Sequence, residues 1–126
     1  MIGININDKS QPFTQQIIAG DKTVETRSTP TLRPYVGKRV GIIRTGVGRA
    51  HVVAYADITH EIQYSTAEHF KNDADRHLVT PGSPFDKTAG FGYLLKNVRA
   101  CPPIPVKTLG IVSRQIDNEP TLSDRL

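Results

Sequence analysis

Lys22, Glu25 and Arg27, in the run GDKTVETR over residues 20–27, are the side chains whose types and spacing offer chemistry. In an extended segment the period of two puts Thr23, Glu25 and Arg27 on one side and Val24 and Thr26 on the other. Glu25 can then hold the Arg27 guanidinium, and Lys22, at the start of the strand, leans toward both. Arginine offers a planar fork for phosphate or a base edge; lysine offers a mobile point charge that can be deprotonated when partly buried. Together they make a site for an anionic or heteroaromatic ligand. The plain alternative is a solvated strand face with a surface ion pair worth ~0–1 kcal/mol. Burial and a neighbouring Arg27 push the Lys22 pKa down while Glu25 pushes it up, so sequence leaves the net direction open.

Other residues beside this trio carry weaker signals. His69, Asp73 and His77 fall at i, i+4 and i+8 of a helical stretch, but the outer two would be ~12 Å apart along its axis, too far to share one ion. Solvated or capping roles suit them better, and no metal or other cofactor is expected. Tyr93 can stack on a base or serve as a barrel-wall aromatic. Arg33, Lys38, Arg39, Arg44 and Arg49 can fringe a cleft and track phosphates, although strand pleating divides them between faces. Cys101 has no local activating base and reads as inert and semi-buried. The tripeptide GVG in RTGVGRA is too short for a phosphate loop and reads as a turn.

The elements that must carry these residues are legible in outline. Ile2, Ile4 and Ile6 alternate with Gly3, Asn5 and Asn7, giving a strand with one buried face. Asp8 and Ser10 offer caps, Pro12 fits a first helical turn, Phe13 and Ile17 share a face, and Gly20 fits the residue after a helix end. STPTLRPYVGK is a loop, while KRVGIIRTG and GRAHVVAYADITHEI are strands joined by a hairpin at Gly46 and Gly48. Ser65 to Glu68 has capping-box spacing, and Ala67, Phe70, Ala74 and Leu78 form one stripe, which predicts a helix over 66–78. VTPGSPFDKTAG is a long Pro- and Gly-rich loop of the kind used as a lid or ligand loop. FGYLLKNVRA is a strand; PPIPV after it cannot be a central one. LGIVSR is a candidate last strand, and the tail over 115–126 reads as a frayed helix or as disordered.

The 126 residues suit a single domain, 1–126, and the 37% apolar fraction argues for a globular core. Sixteen Lys and Arg against twelve Asp and Glu give a net +4, a moderate excess that favours phosphate-bearing partners without requiring them. A single cysteine rules out an internal disulfide and suits a reducing, cytoplasmic setting. No basic start followed by an apolar run marks a leader, and no stretch approaches the ~20 apolar residues of a membrane span. The expected class is α+β: a small, mainly antiparallel β-barrel with about two helices and a ligand cleft.

The run PFTQQIIAGDKTVETR resembles the opening of the ASCH domain family, whose members carry G-x-K-x-x-E-x-R after a short helix, here Gly20, Lys22, Glu25 and Arg27. GFGYLLKNVRACPPIPVK is similar to the family's closing strand, so the resemblance covers most of residues 10–107. It implies a PUA-like barrel that binds RNA or a nucleotide or nucleoside in a cleft lined by the Lys, Glu and Arg; duplex DNA is not the expected partner. Some relatives are hydrolases, including a branch that removes acyl groups from acylated cytidine and a member that looks like a ribonuclease. That deacylase branch places a Thr nucleophile three residues after the Lys, where this chain has Glu25, and neither Thr23 nor Thr26 has the matching spacing. Catalysis here would instead rest on Lys22 and Glu25, with Asp73 or Asp75 as the acid that the branch draws from its comparable helix. The implied ligand contacts are Lys22, Glu25, Arg27, Tyr93, Arg44 and Arg49. A protein-docking module using the same basic face is the competing class.

Overall fold

A computed structural model describes residues 1–86 and 90–121. Strand β1 (Ile2–Asn7) opens the chain, followed by helix α1 (Phe13–Ile18) and strand β2 (Val24–Arg27). A 3-10 turn at Arg33–Tyr35 leads to β3 (Lys38–Thr45), and β4 (His51–Gln63) returns beside it. Helices α2 (Ala67–Asn72) and α3 (Ala74–His77) precede the long β5 (Phe91–Pro105) and the short β6 (Ser113–Gln115). The strands form one curled sheet in the order β2-β5-β4-β3-β1-β6. The pairs β3–β4, β4–β5, β2–β5 and β1–β6 are antiparallel, while β1 and β3 run parallel. The architecture is therefore a half-barrel of mixed, mainly antiparallel sheet with three short helices, the α+β fold expected from sequence. Its N-terminal strand is separated from β3 by α1 and β2, and such a connection, unlike a tight hairpin, permits parallel pairing.

Local chemistry explains the boundaries. Asp8 accepts the Thr14 N–H at 3.0 Å and its hydroxyl at 2.5 Å, pinning the first turn of α1. Gly20 follows the helix at φ 84°, a conformation that costs glycine little. Gly46 and Gly48 take φ 81° and 67° in the β3–β4 hairpin. The predicted helix over 66–78 is present but broken: Thr66, not Ser65, caps α2 by accepting the His69 N–H at 3.0 Å. Asp73 leaves helical geometry at φ −97°, ψ 13°, and α3 begins after it. Along the expected stripe only Phe70 is buried; His77 is the second buried side chain of this segment.

The proline segment Pro102–Pro105 does extend β5, but there the strand pairs with β4 alone, since β2 covers only Phe91 to Leu94. Missing N–H donors are tolerated on that open edge. Three register shifts between β4 and β5 let these long strands coil, and Asn97, at φ 53°, occupies one of them while donating to Asp57 at 2.8 Å.

Ile4, Ile6, Phe13, Ile17, Leu32, Ile42, Ile58, Phe70 and Tyr93 build the main core inside the curl. Ile43, Val52 and Tyr55 form a smaller cluster on the other face, packed by Met1, Cys101 and Ile116. Both faces of β1 are consequently buried, including Gly3 and Asn5. Described residues of the tail form no helix and lie back against the sheet. The Ile116 side chain reaches Gly41, where an added Cβ would lie 2.4 Å from it, and Glu119 pairs with Arg39 at 2.6 Å and Arg99 at 2.9 Å. The remainder of the tail, 122–126, lies outside the described residues. No helix among those described is long and apolar enough to cross a membrane.

Candidate functional site

Curling brings the two edges of the sheet toward each other without a backbone ladder between them. Arg27, on edge strand β2, spans the gap by donating its Nη2 to the Asn5 carbonyl of β1 at 2.6 Å. A cavity of about 540 Å³ opens at this seam. Asn5, Glu25, Thr26, Arg27 and Arg114 supply its polar wall; Ile6, Phe13, Phe70, Pro84, Phe85 and Ile111 supply the apolar one. Phe85 meets Phe13 edge-on, with ring centroids 5.6 Å apart, and is itself 39% exposed. It is therefore available to stack on a planar guest. The long loop expected to serve a ligand thus contributes Pro84 and Phe85, while its residues 87–89 lie outside the described residues.

Glu25 and Arg27 share a face as the period of two requires. The Arg27 Nη2 lies 3.1 Å from Glu25 Oε2, and Glu25 Oε1 accepts the Thr26 N–H at 3.2 Å. Lys22 precedes the strand and turns inward. Its side chain is fully buried, with Nζ 3.6 Å from Glu25 Oε1, donating to the His77 carbonyl at 2.5 Å and lying 4.6 Å from the centre of the Phe13 ring. Burial dominates and lowers the Lys22 pKa; Glu25 opposes the shift and Arg27 reinforces it. Lys22 does not line the cavity. It lies beneath Glu25, between Phe13 of α1 and the His77 carbonyl of α3, and not on the wall where the expected ligand contact would place it.

Further expected contacts also fall elsewhere. Tyr93 is completely buried on β5 and donates to Glu61 at 2.9 Å; burial first, then Glu61, raises its pKa, and the ring belongs to the barrel wall. Arg44 and Arg49 do not line the cavity, and Arg49 is exposed beside the β3–β4 turn. Arg33 is held by Glu61 at 2.9 Å, and Arg39 by Asp57 and Glu119. Asp73 receives the Tyr64 hydroxyl and pairs with Arg76 at 2.6 Å. Neither Asp73 nor Asp75 lines the cavity. Among the described residues no group of three His, Cys, Asp or Glu assembles as metal ligands.

Two site residues were missed from sequence, Asn5 and Arg114. Asn5 looked like the outward position of an alternating strand, and its burial follows from the 108–114 segment laid across it. Its Nδ2 donates to the Gly110 and Ile111 carbonyls, 2.9 Å each, and its Oδ1 accepts Arg114 Nε at 3.1 Å. Chemically, the site presents one carboxylate that can accept a proton, guanidinium groups that can stabilise negative charge, and aromatic rings that can cover a base.

No family model matches the sequence, and no curated protein matches it. Solved structures do. ASCH from Zymomonas mobilis superposes with a TM-score of 0.62 at 20% identity, covering 83% of this chain and 73% of that one. Two point variants of the Zymomonas protein give 0.65 at 19% identity, over 82% and 72% of the two chains, and 0.62 at 20%, over 83% and 75%. The chain has the ASCH-domain fold, a small half-barrel, and at this level of identity the likeness concerns the fold alone.

Proposed function

We propose that the seam cavity is a recognition site for RNA, or for a single nucleotide or nucleoside, with the base against Phe85 and Phe13 and polar groups directed to Glu25 and Arg27. The observation that carries this reading is the composition of one cavity. An aromatic wall faces a guanidinium whose Nε and Nη1 have no acceptor among the described residues. A volume of about 540 Å³ falls within the range typical of small-ligand sites. The resemblance of GDKTVETR to the ASCH motif supports the same assignment, and a cytoplasmic setting with access to RNA is part of it.

Hydrolysis of a modified nucleoside or of RNA is the second reading, favoured by Glu25. Its carboxylate borders the cavity between two cations and can take a proton from water, while Lys22 underneath holds it in place. Titration of a ribonucleoside panel and short single-stranded RNAs, with products followed by chromatography in the same samples, tests both. Arg27→Ala is expected to weaken binding by about 10–100-fold, the worth of a charge-assisted hydrogen bond. Any RNA component should weaken linearly in log salt at a slope of about −0.7 per neutralised phosphate. Equal binding by wild type and Arg27→Ala, with circular dichroism unchanged, would remove Arg27 from the site. Turnover lost in Glu25→Gln with binding intact would establish catalysis, and no turnover by wild type would leave a binding domain.

A further inference from the structure

Arg114 reaches the cavity from β6 with no carboxylate partner among the described residues, whereas Arg33, Arg39, Arg76 and Arg99 each have one. Its Nε donates to Asn5 Oδ1 at 3.1 Å and its Nη1 to the Thr108 carbonyl at 3.0 Å. The backbone oxygen of the same Asn5 takes Arg27 Nη2 at 2.6 Å. One asparagine thus gathers two guanidiniums, one from each edge strand of the sheet. Beyond these bonds Nη2 of Arg114 and Nε and Nη1 of Arg27 have no acceptor among the described residues.

Charge points the same way. Among the described residues the ionisable side chains on the cavity wall are Glu25, Arg27 and Arg114, and buried Lys22 lies directly beneath. Glu25 is shared between Lys22 and Arg27, which leaves the Arg114 end with positive charge that no described residue of the site compensates. Paired guanidinium forks match the oxygens of a phosphate far better than a neutral hydroxyl, and such charge-assisted bonds are the strong ones. We propose that Arg27 and Arg114, positioned by Asn5, form a phosphate subsite, so that the cavity takes a phosphorylated nucleoside or a phosphate of an RNA strand in preference to a bare nucleoside. This rests on the nucleotide reading of the cavity.

The test is calorimetric titration of the four ribonucleosides, their 3′- and 5′-monophosphates, a short RNA and inorganic pyrophosphate against wild type and Arg114→Gln, with thermal unfolding as the folding control. For at least one base, wild type should prefer a phosphorylated form by about tenfold or more, the worth of one charge-assisted bond. Arg114→Gln should bring that ratio within about twofold by weakening the phosphorylated forms more than the nucleosides. Should the Gln variant fail to fold, Arg114→Lys serves instead; it keeps the charge, loses the Nε bond to Asn5 and should keep only part of the preference. Tighter mononucleotide than RNA binding would make the free nucleotide the source of the phosphate, and the reverse order would make it the strand. Equal affinity of wild type for nucleoside and nucleotide would overturn the subsite and spare the nucleoside reading. A preference that Arg114→Gln leaves intact would overturn the role of Arg114. Binding of pyrophosphate through Arg114 with no nucleoside recognised would keep the subsite and overturn the nucleotide reading, and no binding of any probe would overturn both.

Discussion

His77 and Lys22 constrain each other, although neither touches the cavity. The imidazole is 1% exposed and stacked on Phe70 at 4.1 Å between ring centres. Its Nε2 lies 2.7 Å from the Phe70 carbonyl and therefore carries the proton, while Nδ1 accepts the Val79 N–H at 3.0 Å. Protonating Nδ1 would break the second bond and set a new cation near Lys22. Burial lowers the His77 pKa; the Phe70 carbonyl opposes the shift and Lys22 adds to it. With the folded value below the unfolded 6.5, the unfolded chain takes up the proton first, so stability is full above about pH 6.5 and declines as pH falls through it. Denaturant midpoints measured from pH 7.5 to 5 should fall in wild type, with a shallower fall in His77→Gln. A decline of equal size in both would assign it to other groups. Sequence shows His77 only as a histidine on a helix, because its burial depends on how α2, α3 and the 78–79 turn fold over β2.

Strand β2 is the element on which the site depends, and glycines let its neighbours approach. A Cβ on Gly90 would lie 2.5 Å from the Arg27 carbonyl oxygen, and one on Gly92 would meet Val24 and Tyr64 within 3 Å. Gly90→Ala therefore has to push the end of β2 outward, at about 1–3 kcal/mol, and should shift the guanidinium that bridges to Asn5. Chemical denaturation should report a lower midpoint with ligand affinity reduced alongside. An unchanged midpoint would mean the β2–β5 edge yields freely. At this scale local signals were well read: Gly20 after α1, the Gly46–Gly48 hairpin and the period-two run of Glu25 and Arg27 all follow from short-range chemistry. The break at Asp73 was not read, since it reflects the pull of Tyr64 and Arg76 on one carboxylate, and Tyr64 belongs to the segment before the helix.

For the whole molecule the decisive feature is that the sheet curls but does not close, leaving a seam bridged by a side chain. Strand content and the two family-like segments made an ASCH-type fold legible from sequence. Parallel pairing of β1 with β3, the cover that 108–114 lays over Asn5 and the arrival of Arg114 were not, because each joins residues about 40 to 110 positions apart and depends on register across the sheet. Edge strands usually demand protection, and here Arg27 on one side and the docked segment before β6 on the other limit the exposed backbone. The central claim is that ligand occupies this seam. Amide and side-chain chemical shifts recorded by NMR during titration with the best-binding nucleotide test it most directly. Perturbations should concentrate on Asn5, Thr26, Arg27, Phe85, Ile111 and Arg114, with Arg49 and the β3–β4 turn unaffected. Saturable shifts centred on Arg44, Arg49 and that turn, with the seam silent, would contradict it.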